Sequence, residues 1–108
     1  MHFQERMINL IEATFKPTSF RIEGHANYAP HGYDIICAGV SALVDGLVNA
    51  CNEIGLPIGL DVTGGFVEVE FMQCNELTDA IYTVLKQGVK SIAIQYPKYL
   101  TVVGGDST

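Results

Sequence analysis

The stretch from Asp34 to Ile54 constrains the fold most. It contains no proline, and its apolar residues Ile35, Ile36, Val40, Leu43, Val44, Leu47, Val48 and Ile54 fall on most sides of a helix rather than on one stripe. A helix of that kind has to be buried on several sides. Gly55 and Pro57 mark its end, the first by tolerating a left-handed conformation and the second by being unable to continue a helix. At the other end Asp34 reads as the N-cap, its carboxylate accepting an early backbone N–H, which puts Cys37 at about the third helical position. One narrow polar seam crosses this apolar body: Cys37, Ser41, Asp45 and Asn49, four residues apart and so on neighbouring turns. Gly39 and Gly46 cost helix propensity, and their expected use is close approach by a neighbouring element.

The other segments supply what such a helix can pack on. Met7 to Phe15 is rich in strand formers, and Ser19 to Glu23 alternates Phe20 and Ile22 with Arg21 and Glu23, the period of a half-buried strand. Lys16-Pro17-Thr18 reads as the turn of an antiparallel pair, and the second strand delivers His25 at its C-terminal end. The connection Ala26 to Tyr33 is longer than usual for a strand-to-helix loop and holds Pro30 and Gly32 as breakers, which favours a functional segment. After the helix, Ile58 to Thr63 and Phe66 to Met72 flank Gly64-Gly65 and predict a hairpin with one solvated face. Asn75 caps a second predicted helix in which Leu77, Ile81, Val84, Leu85, Gly88 and Ile92 recur on one side, Gly88 at a helix–helix contact. Pro97 ends it, Tyr99 to Val103 forms a closing strand, and the rest is tail. The order ββαββαβ predicts one α+β domain over residues 1–108, with two helices on a mostly antiparallel sheet.

Charge and cysteine usage narrow the function classes. Six Lys and Arg against twelve Asp and Glu give a net charge of −6 and leave no basic stripe for nucleic acid, while a basic partner is favoured. Cys37, Cys51 and Cys74 are an odd set without a CxxC pair, which speaks against a disulfide framework or a structural zinc site and for a reducing cytoplasm. Glu5 and Arg6 interrupt the N-terminus where a signal peptide would be apolar, and no run spans a membrane without charged or polar breaks. No metal or cofactor is expected, and no membrane partner.

The chemistry centres on His25 and Cys37, twelve positions apart in one strand-loop-helix unit. A cysteine in an apolar helix is ordinarily a small buried hydrophobe, and Cys51 and Cys74 are read so. Cys37 differs, because a helix N-terminus favours a thiolate and a histidine stands a short loop away. Imidazole can take the thiol proton and later return it to a leaving amine near neutral pH. His31 is a second candidate base. Asp34 has two possible jobs, capping the helix or orienting an imidazole. For Ser41 a bond back to a helix carbonyl is the plain alternative to a role in the site. Tyr28 and Tyr33, with Gly32 as a hinge, are candidates for gripping an extended peptide.

GHANY, followed by HGYDIICAGVSAL with Asp34 three before Cys37 and Ser41 four after, resembles the signature of the ribosomal-processing cysteine protease family, Prp. LKQGVKSIA from Leu85 and QYPKY from Gln95 resemble the same family. The resemblance implies an endopeptidase that removes a short N-terminal extension from a large-subunit ribosomal protein. His25 and Cys37 would be its catalytic dyad, with Gly24, Asp34 and Ser41 as supporting motif positions, a homodimer as its assembly, and Ala26 to Tyr33 as a mobile loop. Met1 to Arg6 stands ahead of the family's usual start, and Gly39 stands where alanine is common. Two rivals are kept: a prophage relative that processes capsid proteins, and a non-enzymatic dimeric module binding basic ribosomal protein segments. In the second, Cys37 would be a buried core thiol and His25 structural.

Overall fold

The computed structural model describes residues 11–24 and 31–105. Its elements are β1 (Ile11–Phe15), β2 (Ser19–Glu23), α1 (His31–Ile54), β3 (Ile58–Thr63), β4 (Phe66–Phe71), α2 (Glu76–Gln95) and β5 (Leu100–Gly104), the order read from the sequence. Residues 7–10 of the first expected strand lie outside the described residues.

The sheet runs β3-β4-β2-β1-β5, antiparallel throughout except for β1 and β5, which are parallel. Relative strand directions follow from those pairings: β2 and β3 run the same way, as do β4 and β5, so each helix is the crossover between two parallel strands. The two crossovers start from strands of opposite direction and travel in opposite lateral directions. Right-handed crossovers of that kind put both helices on one face, and one face is where their buried residues meet the sheet.

That face is the core. Ile11, Ala13 and Phe15 of β1, Phe20 and Ile22 of β2, Val69 and Phe71 of β4 and Leu100 of β5 pack against Ile36, Val40, Val44, Leu47 and Cys51 of α1. The intervening strand residues, Glu12, Thr14, Arg21, Glu23, Glu68 and Glu70, point to the uncovered face, as period-two alternation requires. Arg21 sits there 4.4 Å from the centroid of Phe66 and 3.9 Å from the Glu23 carboxylate.

The helix ends follow local chemistry. At the C-terminus of α1, Gly55 takes φ +78° and the Leu56 N–H donates to the Cys51 carbonyl at 2.8 Å, the six-to-one bond of a Schellman cap. Asn75 caps α2 through its side-chain oxygen, which accepts from the backbone of Leu77 and Thr78, while the Thr78 hydroxyl closes the box on the Asn75 N–H. The hairpin of β3 and β4 pairs Thr63 with Phe66 across Gly64-Gly65, in the expected register.

Three expectations are corrected. First, α1 begins at His31, so Asp34 is its fourth residue and not its N-cap, and Gly32 and Tyr33 belong to its first turn rather than to a loop. Pro30, read as a breaker, lies outside the described residues, and one glycine in a first turn is tolerated. Second, the buried stripe of α2 is Thr78, Tyr82, Leu85 and Val89, while Leu77 and Val84 are exposed. Thr78 spends its hydroxyl in the cap, and Tyr82 brings a large apolar ring. The Tyr82 hydroxyl reaches the Lys16 and Ser19 carbonyls at 2.7 Å each, and its ring packs with Phe15, Phe20 and Phe71 at 5.2–6.1 Å. Third, Gly46 has nothing within 4 Å of where a Cβ would stand, whereas Gly39 and Gly88 do mark close approach: a Cβ would meet Ile92 Cδ1 at 3.2 Å and both Leu43 methyls at 2.9 Å.

By length and composition Ile35–Ile54 would also cross a membrane. Asp45, Asn49, Asn52 and Glu53 are polar breaks in that run. In this fold its apolar face covers the sheet.

Candidate active site

Cys37 is half-buried on the second turn of α1, beside the C-terminal end of β2. There Gly24 takes φ +125°, a conformation that favours glycine, and its N–H donates to the Gly65 carbonyl at 3.0 Å. That bond ties the end of β2 to the turn of the β3–β4 hairpin. Helix, strand end and hairpin enclose a cavity of about 340 Å³ whose lining includes Cys37, Ser41 and Asp45 from α1, Gly24 and Ile22 from β2, and Val62, Thr63, Phe66 and Val67 from the hairpin. A volume of that order suits a small ligand or part of a peptide.

The polar seam read along α1 is therefore real for three of its four members. Cys37, Ser41 and Asp45 share the cavity, and Asn49 is exposed beyond it. Ser41 is exposed, and among the described residues its hydroxyl makes no hydrogen bond, so the back-bond to a helix carbonyl is not seen. Gly24 stands where the sequence put it. His25 and Tyr28 lie outside the described residues, while Asp34, His31, Gly32 and Tyr33 are in the first turn of α1.

The helix start changes the electrostatics. With α1 beginning at His31, Cys37 is past the first turn, where unpaired N–H groups and the macrodipole act most strongly. The backbone at Cys37 belongs to the helical ladder, so its N–H is not one of the helix's unpaired N-terminal donors.

The other two cysteines divide. Cys51 is buried in the core, and burial pushes its thiol above the ordinary range. Cys74 lies exposed between β4 and α2, not buried as expected, because the junction leading to the Asn75 cap runs over the surface.

Fold and cavity together define an α+β domain that presents a helix-borne cysteine to an open pocket at a strand end. Comparison of the sequence with known families makes this specific. The model of the family described as cysteine protease Prp matches residues 7–101, and the chain belongs to that family. Over 73 residues it is 42% identical to the ribosomal processing cysteine protease Prp of Bacillus subtilis, a match covering 57% of this chain and 63% of that protein. Over 65 residues it is 38% identical to the Prp of Staphylococcus aureus, covering 56% of this chain and 59% of that one. The chain thus spans less than two thirds of the length of these curated relatives. Among solved structures, SMU.848 from Streptococcus mutans is similar at TM-score 0.72 and 26% identity, covering 87% of this chain and 92% of that one. The Prp of S. aureus in complex with a substrate peptide shares the fold at TM-score 0.74 and 21% identity, over 86% of this chain and 95% of that one.

Proposed function

We propose that this protein is a cytoplasmic cysteine endopeptidase that removes the short N-terminal extension of a large-subunit ribosomal protein. One observation carries the reading: Cys37 and Gly24, the residue before His25, line the same cavity. Gly24, the sequence neighbour of the proposed base, thus lies in the wall of the pocket that holds the thiol.

In the proposed reaction His25 takes the Cys37 proton and the thiolate attacks the scissile carbonyl. The tetrahedral intermediate collapses to an acyl-enzyme as the imidazolium protonates the leaving amine. Water, deprotonated by the same imidazole, then releases the acid and restores the thiol. With capping removed from its possible jobs, Asp34 is assigned the orienting of the imidazole. Ser41, one turn beyond Cys37, faces the same peptide. The ribosomal substrate is supported by the names of the similar proteins and by the net charge of −6, which favours a basic target and disfavours nucleic acid.

Self-association belongs to the same reading. A groove of about 290 Å³ between α1 and α2 is lined by apolar residues including Gly46, Ala50, Ile81 and Val84, and Val84 is 68% exposed. A second copy would cover it.

The test is mass spectrometry of the extended ribosomal protein from the same cell after incubation with enzyme. Cys37→Ala should give no cleavage, and His25→Ala should lose about 10²–10⁴ in kcat/KM. His31→Ala should lose much less. Turnover by Cys37→Ala at the wild-type rate would reject the mechanism.

A further inference from the structure

Among the described residues, Asp45 is the one charged side chain that lines the cavity holding Cys37. Exposed itself, it shares the cavity with Ser41 and Thr63 and with apolar residues, Val40 and Val44 on its own helix and Val62 and Val67 across the gap. As the one charge in a cleft, its carboxylate favours a cationic side chain of whatever binds there. Among the described residues no cation pairs with it, the ion pair found being that of Arg21 with Glu23.

Its distance from the nucleophile sets a register. Cys37 and Asp45 are two turns apart on one helix, about 12 Å along the axis at a rise of about 1.5 Å per residue. An extended peptide advances about 3.3 Å per residue, so the same span covers three or four substrate residues. Building on the endopeptidase reading, we propose that Asp45 is a specificity-determining residue. It receives a basic side chain of the substrate three or four positions from the cleaved bond. Such a contact gives the pocket a direction, because the thiol fixes where the chain is cut and the carboxylate fixes which residue lies two helical turns away.

The experiment is cleavage of a synthetic library of sequence-diverse tetradecapeptides, with cut sites located by mass spectrometry and kcat/KM compared for Lys and Glu at each position on both sides of the bond. The wild type should prefer Lys over Glu by about fivefold at one position, three or four residues away, as expected of a partly exposed ion pair combined with relief of repulsion. Asp45→Asn should bring that ratio close to one, and Asp45→Lys should invert it. The wild-type preference should shrink at about 1 M salt. Because each ratio is taken within one enzyme, a general loss of rate in a variant does not disturb it. Cleavage without a charge preference at that distance, or a preference unchanged in Asp45→Asn, would overturn the assignment of Asp45 while leaving the protease intact. A wild type that cuts neither the peptides nor the extended ribosomal protein would overturn the endopeptidase reading and this inference together, whereas one that cuts the ribosomal protein equally well with Lys or Glu at that distance would overturn the assignment of Asp45 alone.

Discussion

Removing the Tyr82 hydroxyl should weaken the fold at neutral pH and strengthen it at high pH. In the native protein the phenol reaches two carbonyls, Lys16 and Ser19, at 2.7 Å each, but it has one proton and donates to one at a time. In Tyr82→Phe the Ser19 carbonyl keeps the Lys16 N–H at 2.8 Å, and the Lys16 carbonyl, on an exposed turn, can turn to water. The ring contacts remain, so the loss is that of one hydrogen bond, about 1–1.5 kcal/mol, or roughly 4–6 °C in Tm for a domain of this size.

Titration reverses the comparison. Burial raises the Tyr82 phenol from 10.0 to about 12, with the Lys16 carbonyl pulling the other way. A phenol is neutral when protonated, so the native state keeps its proton above pH 10 while the unfolded chain releases it. Stability is therefore full below pH 10 and falls as pH rises towards 12, by at most about 2–3 kcal/mol in all. At pH 11 the loss is about 1.4 kcal/mol, similar to the hydrogen bond itself, so the wild type and Tyr82→Phe should unfold together near that pH. Above it the variant should be the more stable. The other tyrosines are common to both proteins and cancel. Urea unfolding of both proteins at pH 8, 10, 11 and 11.5 checks this. A difference between the two that does not change from pH 8 to pH 11.5 would refute the reasoning. The consequence reaches the site, because this hydroxyl clips α2 to the turn that starts β2, and β2 ends at Gly24.

The thiols should separate in one labelling experiment near pH 7: Cys37 reacts with iodoacetamide before Cys74 although Cys74 is exposed, and Cys51, wholly buried with a raised thiol pKa, reacts only after unfolding. The Cys37 rate should fall in His25→Ala, and Cys74 outrunning Cys37 would count against an activated thiol. Sedimentation should show self-association at high micromolar concentration, weakened by Val84→Lys at the groove between the helices; a wild type that stays a monomer of 11.7 kDa would remove the dimer from the proposal.

Local chemistry carried much of this protein in its sequence. Alternation marked β2 and β4, Gly64-Gly65 marked the hairpin, and Gly55 and Asn75 marked two helix ends, because each depends on residues within a few positions of one another. The four-residue seam was legible for the same reason, and it led to Cys37, Ser41 and Asp45 in one cavity. What tertiary structure decided was which of two locally acceptable options won. Asp34 is a good cap, yet the helix that packs on the sheet starts three residues earlier, at His31. The apolar stripe of α2 turned by one residue because Tyr82 finds carbonyls across the fold, 66 and 63 positions away in the chain, that no local pattern could announce. The cavity itself is a product of pairing: β2 lies beside β4, so Gly24 meets Gly65, and only then do a strand end, a hairpin and a helix surround the thiol.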